Sequence, residues 1–285
     1  MRPNWMFWLG VGYLVLLVVF ALVMPWARHS YLAAEAKPNL PPNADFWLGT
    51  DEQGRDIVAR LAFGARISLI VGLTVQAISL LVGIAVGVLG VFAPKWIGVP
   101  LLRLTDGMFA FPDILLAILI IGVWNLGLVP VIVALAITSW PGMARLVFTA
   151  VTSLKDREFV IASRAMGAST FKLVLRHVLP HLWGLVLAVS MVDLAATILA
   201  ESALSFLGIG VQPPTPSWGS MINYARSNMN SYPLQLLWPC LILSMTIFSL
   251  NFVGDGLRAM IDPKGVGRID DAPLPGEATP EPAPP

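Results

Sequence analysis

Charge is scarce in this chain. Asp, Glu, Lys and Arg make up 12% of its 285 residues, while 56% are hydrophobic. A soluble domain carries about 25% charged residues. A single core of this size cannot hide so much apolar surface from water. The net charge is +1, so no broad basic field points to nucleic acid. The lone cysteine, Cys240, sits in an apolar run. It excludes an internal disulfide and reads as a buried bystander. The three histidines are His29, His177 and His181. His177 and His181 stand at i, i+4, but no H-E-x-x-H glutamate and no third ligand accompany them, so no metal site is expected. No G-x-x-x-x-G-K-[ST] occurs, so the chain has no loop to cradle ATP phosphates. No G-x-S-x-G and no catalytic pair inside the apolar runs is found either. An enzyme is not expected.

Long apolar runs are what the chain has instead. A membrane helix needs about 20 mostly apolar residues to cross about 30 Å of hydrocarbon. The runs that qualify are 5–24, 67–92, 101–122, 128–149, 181–204 and 236–257. The first is long for a signal-peptide core, and MPWARHS after it offers no clear small-residue cleavage site, so it reads as a retained span. The expected fold class is an all-α integral membrane protein with six transmembrane helices. Residues 1–66 would be the first helix with an external segment. Residues 67–263 would be a five-helix core with a loop at about 150–180. Residues 264–285, ending LPGEATPEPAPP, carry too little apolar content to fold and are expected to be disordered. No internal repeat or inverted symmetry of the spans is evident.

Lys and Arg set the orientation. Alternate loops of a six-span chain place Arg2, Lys95, Arg103, Arg145, Lys155, Arg157, Arg164, Lys172, Arg176, Arg258, Lys264 and Arg268 on one side. The other side holds only Arg28, Lys37, Arg55, Arg60, Arg66 and Arg226. Both termini and the 150–180 loop are therefore expected in the cytoplasm. Residues 25–66 and 205–235 are expected outside.

The loop opens with KDREFVIASRAMG (155–167). Helical spacing puts Phe159, Ala162, Ser163 and Met166 on one small apolar face, with Arg157, Glu158 and Arg164 mostly off it. Gly167 permits a turn that a side chain would resist. A second short helix carries Phe171, Val174, Leu175 and Val178 at the same spacing, and Pro180 closes it and starts the fifth span. Two short amphipathic helices need a partner for their apolar faces. They either lie on lipid headgroups or dock into a groove of another protein.

The stretch REFVIASRAMGASTFKLVLRHVLP resembles the cytoplasmic loop of ABC-importer permeases, with the pattern E-A-A-x-x-x-G-x9-I-x-L-P. Ala162, Gly167, Leu179 and Pro180 match it, while Ile161, Ser163 and His177 depart from it. Further, FWLGTDEQGRDIVARLAFGARISL (46–69), ILAESALSFLGIGVQPPTPSWGSMI (198–222) and NFVGDGLRAMIDP (251–263) are similar to the C-type permease of dipeptide and oligopeptide importers, in the expected order. The resemblance implies the type I importer permease fold in a bacterial plasma (inner) membrane. It implies a homologous second permease chain, two ATPase subunits that bind the ATP and Mg, and an external solute-binding protein. It assigns Glu158, Phe159, Ala162, Arg164, Met166 and Gly167 to ATPase coupling. The implied cargo is di- or oligopeptide, or in related systems nickel complexes, glutathione or another small solute. A reading from another class is an ATP-independent secondary transporter or channel, which leaves the amphipathic loop unexplained.

Other polar residues carry two readings each. Asp51, Arg55 and Asp56 are expected outside, either contacting the delivery protein or folding the loop, with Asp51 capping a short helix that runs to Arg60. Asp193, and more weakly Gln76, lies inside a span, where a polar group faces the bundle interior or a water-filled cavity. Glu201, near the outer end of the fifth span, either lines the outer mouth or reaches interfacial water. Asp106 and Asp113 flank GMFAFP, where Pro112 falls in the first turns of the third span. Trp5, Trp8, Trp26, Trp218 and Trp238 fall near span ends, as an aromatic belt would.

Overall fold

The structure, a computed structural model, describes residues 5–27 and 29–261. The expected tail at 264–285, and Arg2, Arg28, Lys264 and Arg268 of the charge pattern, lie outside the described residues. Among these residues the chain is helical, in the order α1 (Trp5–Ala27), α2 (Ile57–Phe92), α3 (Lys95–Met108), α4 (Asp113–Val123), α5 (Leu128–Leu154), α6 (Glu158–Ala165), α7 (Thr170–Leu173), α8 (Leu179–Phe206), α9 (Trp218–Ser227) and α10 (Pro233–Ile261). Five described helical stretches are long and apolar enough to cross a membrane, and a bent pair makes a sixth.

Three spans differ from the sequence reading. The second span starts at Ile57, not at 67, because Asp56 caps it: its Oδ1 accepts from the Val58 N–H at 3.0 Å. Its 36 residues run about 54 Å at 1.5 Å per residue, well beyond a bilayer core. The cations that suggested a loop are used as helix partners. Pro25 has no N–H to give the Ala21 carbonyl, and Arg66 Nε donates to that carbonyl at 2.7 Å. The third span is not one helix. It breaks at Phe109–Pro112, and α3 and α4 meet at 92°. Pro112 cannot continue the hydrogen-bonded ladder and instead caps α4. The 11 residues of α4 reach only about 16 Å. The fifth span does not begin at Pro180. A π turn over Val174–Val178 joins α7 to α8 without a break, and the Leu179 N–H bonds the Val174 carbonyl.

The spans pack through small residues. On α2, Gly83 and Gly87 are one turn apart and face α5. A Cβ at Gly83 would come within 2.6 Å of Met143 Cβ, and one at Gly87 within 2.7 Å of Val147 Cβ. Lipid supplies no hydrophobic drive between helices, so close backbone approach supplies the contact. One cluster joins α1, the start of α2, α8, α9 and α10 around Leu61, Ile198 and Trp218. A second joins α2, α4 and α5 around Val71, Ile121 and Val131. A third ties α5 and α8 to α6 and α7 around Val147, Val160, Leu173 and Val178. Trp218 is not an interfacial residue. It is fully buried, its Nε1 donates to the Leu61 carbonyl at 3.1 Å, and its ring fills the space beside Gly64. Trp5 and Trp8 are exposed on α1, and Trp238 is partly buried against the first cluster. The side chain of Trp26 lies outside the described residues.

Candidate functional site

The 155–180 loop is built as a rigid bracket. Arg157 opens α6 with extended backbone, and the helix ends after two turns in a Schellman turn. Gly167, at φ +81°, lets its N–H bond the Arg164 carbonyl at 2.9 Å while the Ala168 N–H bonds the Ser163 carbonyl at 3.1 Å. Ser169 then caps α7 by accepting from the Lys172 N–H. Val160 and Ser163 are buried beneath α6, and Leu173, Val174 and Val178 are buried beneath the second arm. Val160, Leu173 and Val178 pack on Met143, Val147 and Val151 of α5 and on Leu182 and Val186 of α8.

This packing turns the expected docking face. Phe159 points inward and stacks on His181, with ring centroids 4.8 Å apart. His181 also places Nδ1 at 2.7 Å from the His177 carbonyl, so the two histidines serve the helix rather than a ligand pair. Ser163 is buried. Arg164 lies with its guanidinium 5.4 Å from the Phe92 ring centroid and braces the loop against the end of α2. The outward face carries Glu158, Ile161, Ala162, Ala165 and Met166, joined by Phe171 from α7. Three large apolar side chains there are open to solvent: Ile161 at 55%, Phe171 at 74% and Met166 at 82%. Phe171 is expected on the apolar face of the second short helix, whereas Ile161 stands out from the sequence only as a departure from the loop motif. Periodicity puts Phe159, Ala162, Ser163 and Met166 on one face, and packing splits it, with Phe159 and Ser163 turned inward and Ala162 and Met166 outward.

Asp193 opens into a cleft of about 260 Å³ between α4, α5 and α8, lined also by Phe109, Asp113, Thr138, Ser139 and Thr197. Its carboxylate has no hydrogen-bond partner among the described residues, and no Lys or Arg lines the cleft. At the loop end of this cleft Arg145 pairs with Asp106 across α5 and α3, and its guanidinium lies 5.5 Å from the Phe109 ring centroid. Gln76, one turn from Ser79 on α2, is buried, and neither its amide nitrogen nor its oxygen finds a partner among the described residues.

Glu201 corrects the sequence reading. It neither lines an outer mouth nor reaches water: it is 0% exposed. Ser205 Oγ donates to its Oε1 at 2.8 Å, and Ser68 Oγ of α2 donates to its Oε2 at 3.3 Å. Ser205 Oγ in turn accepts from the Val211 N–H, so one carboxylate ties α8, α2 and the 207–211 turn together. Its partners are far apart in the chain, which is why the sequence alone does not reveal them.

The 36–56 segment is knitted by its charges. Asp51 does not cap a helix running to Arg60; Asp56 does. Asp51 instead accepts from the Gln53 and Arg55 N–H groups, both at 2.9 Å, and ion-pairs with Arg55 at 2.7 Å and Arg60 at 3.3 Å. Glu52 accepts from Asn228 after α9, and Gln235 of α10 donates to Asn39 and to the Thr50 carbonyl. These three sequence candidates therefore shape the surface formed by 36–56, α9 and the start of α10.

Known proteins share this architecture. Residues 79–265 match the family model for the binding-protein-dependent transport system inner membrane component. The chain is 36% identical to the oligopeptide transport system permease protein OppC of Bacillus subtilis over 92% of its length and 87% of that protein. It is 39% identical to the di/tripeptide transport system permease protein DppC of Pseudomonas aeruginosa, covering 90% of this chain and 87% of that one. It is 36% identical to the glutathione transport system permease protein GsiD of Pectobacterium atrosepticum, covering 88% and 85%. A solved structure of the MetNI methionine ABC transporter in an inward-facing conformation superposes with a TM-score of 0.60 at 20% identity, over 71% of this chain and 96% of that one.

Proposed function

The chain belongs to the family of binding-protein-dependent transport inner membrane components, and on that premise we propose that it forms half of the membrane pathway of an ATP-driven importer of short peptides. A homologous permease chain supplies the other half. Two separate ATPase subunits bind ATP and Mg and dock on the α6–α7 face. An external solute-binding protein delivers cargo to the surface built on 36–56 and α9. The chain lies in the bacterial inner membrane with both termini and the 155–180 loop in the cytoplasm, as the Lys and Arg distribution favours.

The observation that carries this reading is the unpartnered apolar face of Ile161, Met166 and Phe171 on a bracket braced from behind. A helix pair lying on headgroups would bury such a face in lipid. A helix docking into a protein groove presents it as an anchor, and the family supplies the groove. Force applied at Met166 and Phe171 passes by two routes. Val160 bears on α5, and α7 runs through the π turn into α8. Both helices line the Asp193 cleft. Closure of the ATPase pair therefore moves the two walls of the cleft together and exchanges which side it opens to.

Relatives named for oligopeptides, di/tripeptides and glutathione support a short peptide as cargo. The cleft fits that class: Asp193, Asp113 and three hydroxyl side chains favour an ammonium group and offer hydrogen bonds to an amide backbone. The test is uptake into proteoliposomes holding both permease chains and the ATPases, with binding protein outside and ATP inside. The reading predicts uptake of labelled di- to pentapeptides that needs both ATP and the binding protein. Uptake that survives without ATP would favour a secondary transporter and overturn it.

A further inference from the structure

We propose that Phe109 is the gate at the coupling-loop end of the Asp193 cleft and that Arg145 is the residue that positions it. The proposal rests on the importer reading above and names the part of the pathway that opens and closes.

The cleft has a direction. On α5 its wall runs from Leu135 through Ser139 to Gly142, each step moving toward Leu154 and the loop. On α8 it runs the opposite way, from Ala200 back to Asp193. Gly142 on α5 and Asp193 on α8 are therefore its loop-side end, and Phe109 lines the cleft with them. Arg145 lies one turn further toward the loop, with its guanidinium over the Phe109 ring. Phe109 is thus the aromatic side chain that lines the cleft at its loop-side end, beside Asp193.

Phe109 also sits where the helical ladder is broken. It follows the last residue of α3 at the 92° break, and the Ala110 and Phe111 N–H groups make only turn bonds, to Gly107 and Met108. A Cβ added at Gly107, two residues before Phe109, or at Gly142 in the cleft wall would meet nothing within 4 Å. Two contacts from one residue hold this break: Arg145 pairs with Asp106 and covers Phe109. A pair this exposed contributes little to stability. Its consequence is positional. Arg145 stands on α5, the helix that Val160 and Val151 tie to the loop. When the loop moves α5, Arg145 leaves or meets Phe109, and an apolar ring swings into or out of a polar passage. Apolar constrictions of this kind close a pore to polar solutes by excluding water.

The test uses the assembled transporter with Cys240→Ser and a reporter cysteine, Ser139→Cys, in the cleft. A charged, membrane-impermeant thiol reagent is applied from the cytoplasmic side, with no nucleotide and with nucleotide trapped on the ATPases. The gate predicts that trapping slows labelling of the reporter by about tenfold or more. Phe109→Ala should erase that difference, whereas Phe109→Leu should keep part of it. Arg145→Ala should shrink it, Arg145→Lys should keep most of it, and the exchange Arg145→Asp with Asp106→Arg should restore it over Arg145→Asp alone. A merely structural Arg145 would change yield without changing the nucleotide dependence of labelling. A difference that persists in Phe109→Ala, or no difference in the parent, overturns the gate. ATP-driven uptake by the parent is read separately. Its absence overturns the importer assignment, while labelling still reports on the gate.

Discussion

Phe159 of α6 stacks on His181 of α8 with ring planes only 12° from parallel. This contact makes the loop part of the span rather than a tether to it. Phe159→Ala removes the stack and part of a half-buried face. It should cost about 1–2 kcal/mol, less than the 3–5 kcal/mol of a fully buried phenylalanine. The ATPase should still bind, since Phe159 is not on the outward face. Peptide-stimulated ATP hydrolysis should lose much of its response to cargo. Co-purification and hydrolysis measured on the same preparation separate the two effects.

Gly167 holds the bracket's corner at φ +81°. A Cβ there meets no atom within 4 Å, so only the backbone conformation resists substitution. Gly167→Ala should cost about 1–2 kcal/mol and Gly167→Val more, while Gly167→Asn should be tolerated best, because asparagine enters this region readily. ATPase affinity, measured by titrating the subunit onto the permease in nanodiscs, should follow the order Gly, Asn, Ala, Val.

Two intramembrane carboxylates should respond in opposite ways. Glu201→Ala strands the Ser68 and Ser205 hydroxyls and should destabilise the assembly by at least about 2 kcal/mol, whereas Glu201→Gln keeps one acceptor and offers the other serine hydroxyl a donor, and should stay within about 1 kcal/mol. Asp193 has no such partners. Asp193→Asn should change stability by less than about 1 kcal/mol yet lower peptide uptake severalfold. Thermal denaturation in nanodiscs alongside uptake reads both.

The crossing of α2 and α5 depends on absent side chains. Gly83→Val would drive a β-branched side chain into Met143, and overpacking of this kind costs about 1–3 kcal/mol. Fluorescence-detected size exclusion should show less monodisperse chain for Gly83→Val. Met143→Ala, by making room, should restore part of it.

The sequence made the spans legible where composition alone decides them. The runs at 5–24, 128–149 and 236–257 fall inside α1, α5 and α10. It misplaced the start of α2 because Arg60 and Arg66 look like loop residues until their partners, Asp51, Tyr31, Ala21 and Leu22, are seen. Hydropathy has no term for backbone direction, so the break at Phe109–Pro112 was read as one helix. The loop motif located the bracket and its glycine. Helical spacing puts Phe159 and Met166, seven residues apart, on one face of α6, whereas Phe159 packs on His181 and Met166, at the C-cap, stays open. Glu201 was visible as a charge in an apolar run, but its partner Ser68 lies 133 residues away.

The central claim is that the outward face of α6 and α7 is the seat of a separate ATPase. Met166 is the most exposed apolar side chain on that face. The most direct measurement places a cysteine there, Met166→Cys in a Cys240→Ser chain, and treats membranes of the assembled transporter with a short thiol–amine cross-linker. The account predicts one product, the permease joined to the ATPase. The product should disappear when Phe171→Asp is added, while the chain still inserts. A cysteine at Met166 that links only to lipid-proximal probes, with the ATPase retained in the Phe171→Asp chain, would contradict it.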